Sequence, residues 1–285
     1  MIVCLHIPKT GGTSFNFVLE NNFGMRNCHT NQTNRSTFTQ VDLNFARKCY
    51  PGLRSITGHN LVNPGQLTVA DPFYVTILRE PVARVISHYQ YSVEQGNNKR
   101  TFEETLRASE NVENLQVKLI AGSRDLDKAK RFLEQCAFVG LTEKFDLSLH
   151  VLGRLSPWKL NLNYQKRVVA KNDTVKNALV REERMLELAR EYNKLDVELY
   201  DFAVNEIFPR LCRKAGVNPV EKVPSYQTYT SEETLNYRLS RFYSKMFRHL
   251  CKVRYEVILR DPRPRMGNTA EDIFGPLLAR DTNRP

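Results

Sequence analysis

The chain of 285 residues is basic and has an ordinary globular composition. It carries 42 Lys+Arg against 31 Asp+Glu, a net charge of +11, with 41% hydrophobic residues, 13 Gly and 13 Pro. These figures exclude collagen-like, low-complexity and wholly disordered chains. A chain of this length can bury one large core without metal or disulfide staples. The positive charge fits an anionic partner, although many basic proteins have none.

The sequence gives no sign of a membrane span, a secretory signal or a zinc site. No apolar run approaches the roughly 20 residues that cross a bilayer, and the first run ends in Pro8 and Lys9 rather than in a cleavable small-residue segment. The six cysteines form no C-x-x-C pair. Sequons at Asn31, Asn34 and Asn172 keep a secreted, disulfide-bonded origin open, but buried free thiols are the simpler reading and favour a reducing compartment.

A strand, a glycine loop and a helix are predicted to open the chain. Residues 2–7 form an apolar run typical of a buried parallel strand. After a loop over residues 8–12, Thr13 or Ser14 can cap a helix that extends to about Asn22. Residues 24–53 lack periodicity, and we expect them to form a long excursion.

The remaining elements alternate and then become helical. Strands are predicted at 54–57, 73–78 and 137–141, and a helix begins at Pro81. Further helices are predicted over 101–107, 112–121, 125–135, 143–154, 174–191, 195–215 and 232–250. This alternation indicates an α/β domain with a mainly parallel sheet and a helical C-terminal half. We expect one domain over 1–260 and a tail over 261–285 that wraps the surface or is disordered.

The first loop has the composition of a phosphate-binding loop. It follows a predicted strand and leads into a helix, where backbone amides and the helix dipole attract an anion. The candidate ligands are Lys9, Thr10, Gly11, Gly12, Thr13 and Ser14. A nucleotide-triphosphate P-loop needs its lysine after the glycines, whereas here the lysine precedes them, so an ordinary ATPase or GTPase is disfavoured. A glycine turn with an incidental lysine is the alternative.

A second candidate pair follows the strand at 73–78. Arg79 stands where a P-loop hydrolase commonly places its magnesium-binding aspartate. Ser87 lies two turns into the next helix. Because ligands bind at the carboxyl ends of parallel strands, this pair can clamp a second phosphate beside the first loop. Taken alone, an arginine and a serine more often form a salt bridge and a surface hydroxyl.

Two motifs now carry a family resemblance. Residues 6–14, HIPKTGGTS, resemble the 5′-phosphosulfate loop of sulfotransferases that use 3′-phosphoadenosine 5′-phosphosulfate (PAPS), and residues 78–89, LREPVARVISHY, resemble their 3′-phosphate motif. The likeness is to carbohydrate enzymes of the heparan sulfate 2-O and 6-O type, extends diffusely over 1–260 and is weakest after Leu155. It implies a P-loop-like, three-layer α/β fold without a catalytic metal, PAPS as donor, 3′-phosphoadenosine 5′-phosphate (PAP) as product, and both candidate sets as donor ligands.

The resemblance also implies a catalytic base between the two motifs. Family members often use a histidine there, and His59 is similar in placement. From the residues alone, His59 follows a predicted strand beside a glycine, so its imidazole can reach the crevice with a pKa near operating pH. His29 and His88 are competitors, and His6 packs against or orients the loop. The remaining histidines, to which no partner is assigned, are His150 and His249.

These observations predict a PAPS-dependent sulfotransferase of class EC 2.8.2. His59 would take the proton of an acceptor hydroxyl, and Lys9 would neutralise charge on the leaving group. A carbohydrate is the favoured acceptor. The rival functions are a variant nucleotide-dependent kinase and a non-catalytic polyanion-binding protein that retains the fold. The expected location is the cytoplasm, or the Golgi lumen if the chain is a trimmed domain.

An acidic polysaccharide is among the candidate acceptors, and no nucleic-acid partner is expected. Four basic clusters could line a groove for it, although each is more often a solvated face. They are Arg47, Lys48 and Arg54; Lys99 and Arg100; Lys128, Lys130 and Arg131; and Arg154, Lys159, Lys166 and Arg167. Trp158 could stack on a sugar ring, although a packed tryptophan is more common.

Overall fold

A five-stranded, wholly parallel sheet forms the centre of the computed structural model. The residues that the structure describes are 1–96, 98–108, 112–165, 174–228 and 234–261, with Arg263 and Arg265. The strands are β1 (Ile2–Leu5), β2 (Asn27–His29), β3 (Ser55–Gly58), β4 (Phe73–Leu78) and β5 (Phe138–Leu141). Their order across the sheet is β2-β3-β1-β4-β5, so β1 pairs with β3 on one side and β4 on the other. The predicted α/β fold with a parallel sheet is confirmed.

Helices cover both faces of this sheet. Every residue of β1, β3 and β5 is buried, and because successive strand residues point to opposite faces, both faces must be covered. The helices of the first half are α1 (Gly12–Phe23), α2 (Gln40–Cys49), α3 (Pro81–Glu94), α4 (Phe102–Ala108), α5 (Leu115–Ala121) and α6 (Leu126–Gln135). Those of the second half are α7 (Phe145–Leu155), α8 (Thr174–Leu179), α9 (Glu183–Tyr192), α10 (Lys194–Phe202), α11 (Phe208–Ala215) and α12 (Leu235–Lys252).

Short helical turns and a second core complete the domain. Single 3-10 turns cover Gly24–Arg26, Thr30–Thr33, Pro64–Gln66 and Thr142–Lys144, and π-helical turns cover Ala203–Ile207 and Val253–Ile258. A small apolar core, separate from that of the sheet, joins α3, α4 and α9 through residues such as Val85, Leu106 and Met185. No helix in the described part of the chain is long and apolar enough to cross a bilayer. All six cysteines are free, and five of them are buried.

The prediction for residues 24–53 is wrong because regular structure lies inside this segment. The short edge strand β2 pairs with β3, and α2 begins with a capping box in which Thr39 and Asp42 exchange hydrogen bonds. The first helix also begins earlier than predicted. Gly11, in the left-handed conformation, is its N-cap, so Thr13 and Ser14 lie in the first turn rather than capping it.

The C-terminal helices are more broken than the sequence indicates. The predicted helix 174–191 is two helices, α8 and α9, and the predicted helix 195–215 passes through a π-helical turn between α10 and α11. The predicted helix 232–250 begins at Leu235, and residues 232–233 lie outside the described residues.

The start of the predicted tail is bonded to the domain. The guanidinium of Arg263 forms an ion pair with Asp42 on α2 and another with Asp261. Arg35 adds an ion pair to Asp261. The chain therefore contacts the domain beyond the predicted boundary at residue 260, and residues 266–285 lie outside the described residues.

Candidate active site

A cavity of about 1010 Å³ lies at the carboxyl ends of the central strands. Its walls come from the loop after β1, the start of α3 and the turn after β5. This is the edge of a parallel sheet at which ligands bind in α/β folds. The structure brings seven of the predicted donor ligands to this one cavity. They are Lys9, Gly11, Gly12, Thr13, Ser14, Arg79 and Ser87.

The loop backbone is arranged for an anion. Lys9 and Gly11 both have positive φ, at 69° and 80°, which turns the chain sharply before α1. The first-turn N–H groups of Gly12, Thr13 and Ser14 have no partner in the preceding turn of the helix, and these three residues line the cavity. Amides at a helix N-terminus form a ready site for phosphate or sulfate.

Gly12 is required by the close approach of a histidine. A Cβ at this position would overlap the imidazole of His6, which lies directly against the glycine. His6 itself lines the cavity and accepts a hydrogen bond at Nδ1 from the side-chain amide of Asn16, at 3.2 Å. Burial, reinforced by the neighbouring His59, holds the pKa of His6 well below its usual value, so His6 is neutral. The prediction that His6 packs against the loop agrees with this geometry, although His6 lies just after β1 rather than within it.

Lys9 brings the cation of the loop to the cavity. Its Nζ lies 4.2 Å from the ring centroid of Tyr91 on α3. Burial, with the nearby positive charge of Arg79, lowers the pKa of Lys9 to about 8, and Glu94 partly opposes the shift. An anion in the cavity would favour the charged form of this lysine.

Arg79 is fixed by hydrogen bonds to two residues, Lys9 and Gln116. Its Nη1 donates to the carbonyl oxygen of Lys9 at 3.0 Å. Its backbone N–H and carbonyl are bonded by the side chain of Gln116, at 3.1 and 2.9 Å. Glu80 follows as the N-cap of α3 and accepts hydrogen bonds from the first helical turn. The guanidinium is thereby held beside the first loop, and Ser87 lies on the same cavity wall.

Two predicted residues do not line the cavity. The hydroxyl of Thr10 is buried and donates to the carbonyl of Ile7 at 2.9 Å, so it cannot also serve as a free donor in the cavity. His59 lies behind His6, with the two ring centroids 4.0 Å apart. His59 is not among the residues that line the cavity, whereas His6, against which its ring packs, is one of them.

The geometry fixes the tautomer of His59. Its Nδ1 lies 2.7 Å from the carbonyl oxygen of His6. Since a carbonyl can only accept, Nδ1 carries the proton and Nε2 is the unprotonated nitrogen. Burial lowers the pKa of His59, although the His6 carbonyl partly opposes the shift. The half-buried imidazole is therefore a neutral base with Nε2 available.

The competing histidines have other surroundings. His29 is bonded to the buried carboxylate of Glu20 at 2.7 Å. Burial, with the nearby charges of Arg84 and Lys9, lowers the pKa of His88 to about 4. His150 lies 2.7 Å from the hydroxyl of Tyr226, away from the cavity lining, and His249 is exposed on α12.

Several cavity residues escaped the sequence analysis. Thr142, after β5, donates its hydroxyl to the carbonyls of Thr10 and Leu78 and so ties the loop to β4. Lys176 on α8 and Arg190 on α9 bring two further cations to the wall. No short sequence motif identifies these residues, because they belong to separate segments that only folding brings together at the cavity.

The predicted basic clusters lie elsewhere. None of their described members lines this cavity, and Lys166 and Arg167 lie outside the described residues. Trp158 is packed edge-to-face against Phe23 and Phe73, in agreement with the expectation that a tryptophan is more often packed in the fold. An acceptor groove built from these clusters is therefore not part of the cavity.

Comparison with known proteins finds similarity to sulfotransferases in both a family model and individual relatives. Residues 1–135 match the model of the sulfotransferase family. A heparan sulfate 2-O-sulfotransferase of Caenorhabditis elegans is 24% identical over 278 aligned positions, which cover 75% of this chain and 80% of the relative. Heparan-sulfate 6-O-sulfotransferase 1 of Cricetulus griseus and of Mus musculus are each 25% identical over 272 positions, covering 71% of this chain and 66% and 64% of the relatives.

Proposed function

Because residues 1–135 match the model of the sulfotransferase family, we propose that this protein transfers a sulfuryl group from PAPS to a hydroxyl of a carbohydrate. One observation carries the proposal: the N-terminus of α1, Lys9, Arg79 and Ser87 converge on a single cavity. The relatives that act on heparan sulfate support the choice of a carbohydrate acceptor.

The cavity fits a donor with two separate anionic groups. The first-turn amides of α1 and Lys9 belong to one continuous loop that lines the cavity, and they would bind the phosphosulfate. Arg79 and Ser87 are placed to bind the 3′-phosphate, the guanidinium through two parallel hydrogen bonds. The cavity volume of about 1010 Å³ is at the upper end of the range for small-molecule sites, which leaves room for a nucleotide.

Lys9 and the loop amides perform the electrostatic part of catalysis. Sulfuryl transfer resembles phosphoryl transfer, in which alignment and charge stabilisation matter more than covalent chemistry with the protein. Lys9 neutralises the negative charge that develops on the bridging oxygen of the leaving group, and the amides hold the 5′-phosphate in place. The Thr142 hydroxyl bonds keep the loop in register with β4.

His59 serves as the base through Nε2. Its Nδ1–H is held by the His6 carbonyl, so the lone pair of Nε2 points away from that contact. Because His6 lines the donor cavity and the ring of His59 packs against it, the acceptor hydroxyl would have to bind at the edge of the cavity beside His6 to reach both Nε2 and the donor sulfur. His59 takes the proton as the hydroxyl oxygen attacks sulfur, and the His6 backbone keeps base and loop together.

Calorimetry with PAP, AMP, and ATP plus magnesium tests the donor site. We expect metal-independent binding of PAP, with a preference over AMP that disappears in Arg79→Ala. The matched control is Arg131→Ala, an exposed arginine on α6 outside the cavity. Magnesium-dependent ATP binding would favour a kinase, and unchanged discrimination in Arg79→Ala would remove Arg79 from the site. Sulfuryl transfer from PAPS to polysaccharide hydroxyls then tests the acceptor class.

A further inference from the structure

A second cavity, of about 680 Å³, lies at the opposite edge of the sheet. Arg26 and Arg54 line it and immediately precede β2 and β3, and the N–H of Arg54 donates to the carbonyl of Arg26 at 2.8 Å. Phe23, the last residue of α1, lines the same cavity. Since α1 has 12 residues, the cavity lies about 18 Å from the donor loop at the other end of this helix.

The described residues that line the cavity carry positive charge only. Arg26, Arg54 and Lys159 are exposed at its wall, and no described residue of the lining is acidic. Within the described residues, the side chains of these three cations form no ion pair. Two of the predicted basic clusters, one with Arg54 and one with Lys159, thus meet here rather than at the donor site. Three exposed cations that line one cavity and have no ion-pair partner among the described residues favour an anionic ligand.

Trp158 gives the cavity a rigid apolar wall. The indole is half-buried and packs edge-to-face against Phe23 and Phe73, with ring centroids 6.0 and 5.7 Å apart. The backbone around it is fixed by Ser156, whose hydroxyl accepts from the Trp158 N–H and donates to its carbonyl. An indole held in this way can pack against the apolar face of a sugar ring at little cost in side-chain entropy.

We propose that this second cavity binds a segment of an acidic polysaccharide, with Arg26, Arg54 and Lys159 contacting its sulfate or carboxylate groups and Trp158 packing against a sugar ring. The choice of a carbohydrate rests on the proposed function, whereas the anionic character follows from the lining alone. Nucleic acid is less well matched, because single strands stack on successive aromatic platforms, whereas the two aromatic rings of the described lining, Phe23 and Trp158, pack edge-to-face against each other. The site would hold a long acceptor at a distance from the transfer chemistry.

The sole tryptophan of the chain makes the site measurable. Trp158 is the one tryptophan in the sequence, so its emission reports this cavity alone. The full chain is titrated with a sulfated heparin oligosaccharide, with a single-stranded oligonucleotide of equal charge, and with PAP, while calorimetry gives affinities on the same samples. We expect saturable, salt-sensitive binding of the oligosaccharide with a change in Trp158 emission, and at least about tenfold weaker binding of the oligonucleotide.

Two triple variants with equal loss of charge separate the site from the net charge. R26Q/R54Q/K159Q should weaken oligosaccharide binding at least about tenfold, and R131Q/R213Q/K214Q, which removes exposed cations from α6 and α11, by less than about twofold. Equal losses in both variants, or equal affinity for the oligonucleotide, would overturn the proposal. PAP binding is expected to be unchanged in both. If the wild-type protein did not bind PAP, the proposed function would be refuted. The oligosaccharide measurement would still test the second cavity independently.

Discussion

Arg79 donates a hydrogen bond from Nη1 to the carbonyl oxygen of Lys9 at 3.0 Å, which joins the loop after β1 to the end of β4. The bonded carbonyl belongs to a residue with φ of 69°, a conformation that non-glycine residues rarely adopt. The strained loop and the arginine therefore hold each other in place. Lys9 lines the cavity, and its ammonium lies over the ring of Tyr91 on α3.

Lys9→Ala should reduce turnover far more than PAP affinity. The ammonium contact strengthens as charge develops on the leaving oxygen, so its removal costs more in the transition state than in the ground state. We expect a fall in kcat of at least about a hundredfold and a loss of PAP affinity below about tenfold. Steady-state kinetics and calorimetry on the same samples measure both, and equal losses would contradict this role.

PAP affinity should depend on pH through Lys9. The pKa of this lysine is lowered to about 8 in the free protein, and a bound anion raises it, so binding takes up a proton near pH 8. Affinity should be level below pH 8 and fall above it, by less than about tenfold in total, because a neutral Lys9 should cost no more affinity than Lys9→Ala. Lys9→Arg, which stays charged, should give a level profile from pH 7 to 9.5. A wild-type profile that is level over this range would show that Lys9 does not face the anion.

The sequence predicts more of the fold than of the complete site. The strand at 73–78 and Pro81 at the start of α3 are found as predicted, because an apolar run and a proline at the first helical position are strong local signals. The capping box of Thr39 and Asp42 lies in a polar segment whose lack of periodicity predicts a loop, although the spacing of these two residues is itself a helix-start signal. The position of His59 behind His6 depends on how two loops pack, which no local pattern reports.

His59→Asn should abolish transfer and preserve the donor site. Asparagine can retain a donor toward the His6 carbonyl but has no basic nitrogen, so we expect transfer to fall by about 10²–10⁴-fold while PAP affinity stays within about twofold. His249→Asn, at an exposed position on α12, is the control and should be silent. Were transfer to survive, His29 and His88 would be the next histidines to test.

Gly12→Ala should disturb both stability and donor binding. The added methyl group would overlap the His6 imidazole, and such overpacking costs about 1–3 kcal/mol. In Gly65→Ala the new Cβ would meet Phe132 at an ordinary 3.6 Å, so that variant should be nearly neutral. The double variant His6→Ala/Gly12→Ala removes the overlap, so Gly12→Ala should cost much less stability in a His6→Ala background than in the wild type. Denaturant unfolding of the wild type, the three single variants and the double variant measures this, and an equal cost of Gly12→Ala in both backgrounds would place the strain elsewhere.

Arg263→Met should destabilise the domain in a pH-dependent manner. Asp42 is fully buried, and its carboxylate accepts hydrogen bonds from Thr39 and, at 3.0 Å, from Nη2 of Arg263. Burial alone would raise the pKa of Asp42, but the hydrogen bonds from Arg263 and its neighbours lower it below its ordinary 3.8. Since breaking a fully buried pair costs about 3–5 kcal/mol and Arg263 is partly exposed, we expect a loss of about 2–3 kcal/mol at pH 7.

The pairing of Asp42 with Arg263 contributes stability above the unfolded pKa of the carboxyl group and loses it as pH falls through the lower folded pKa. The difference in unfolding free energy between wild type and Arg263→Met should therefore shrink below about pH 4. Arg265→Met removes a largely exposed partner of Glu256 and should cost less than about 0.5 kcal/mol. Urea unfolding at pH 7 and pH 3 measures both variants. A loss in Arg263→Met that matches Arg265→Met, or that is the same at both pH values, would show that the segment after Arg260 is not anchored through Asp42.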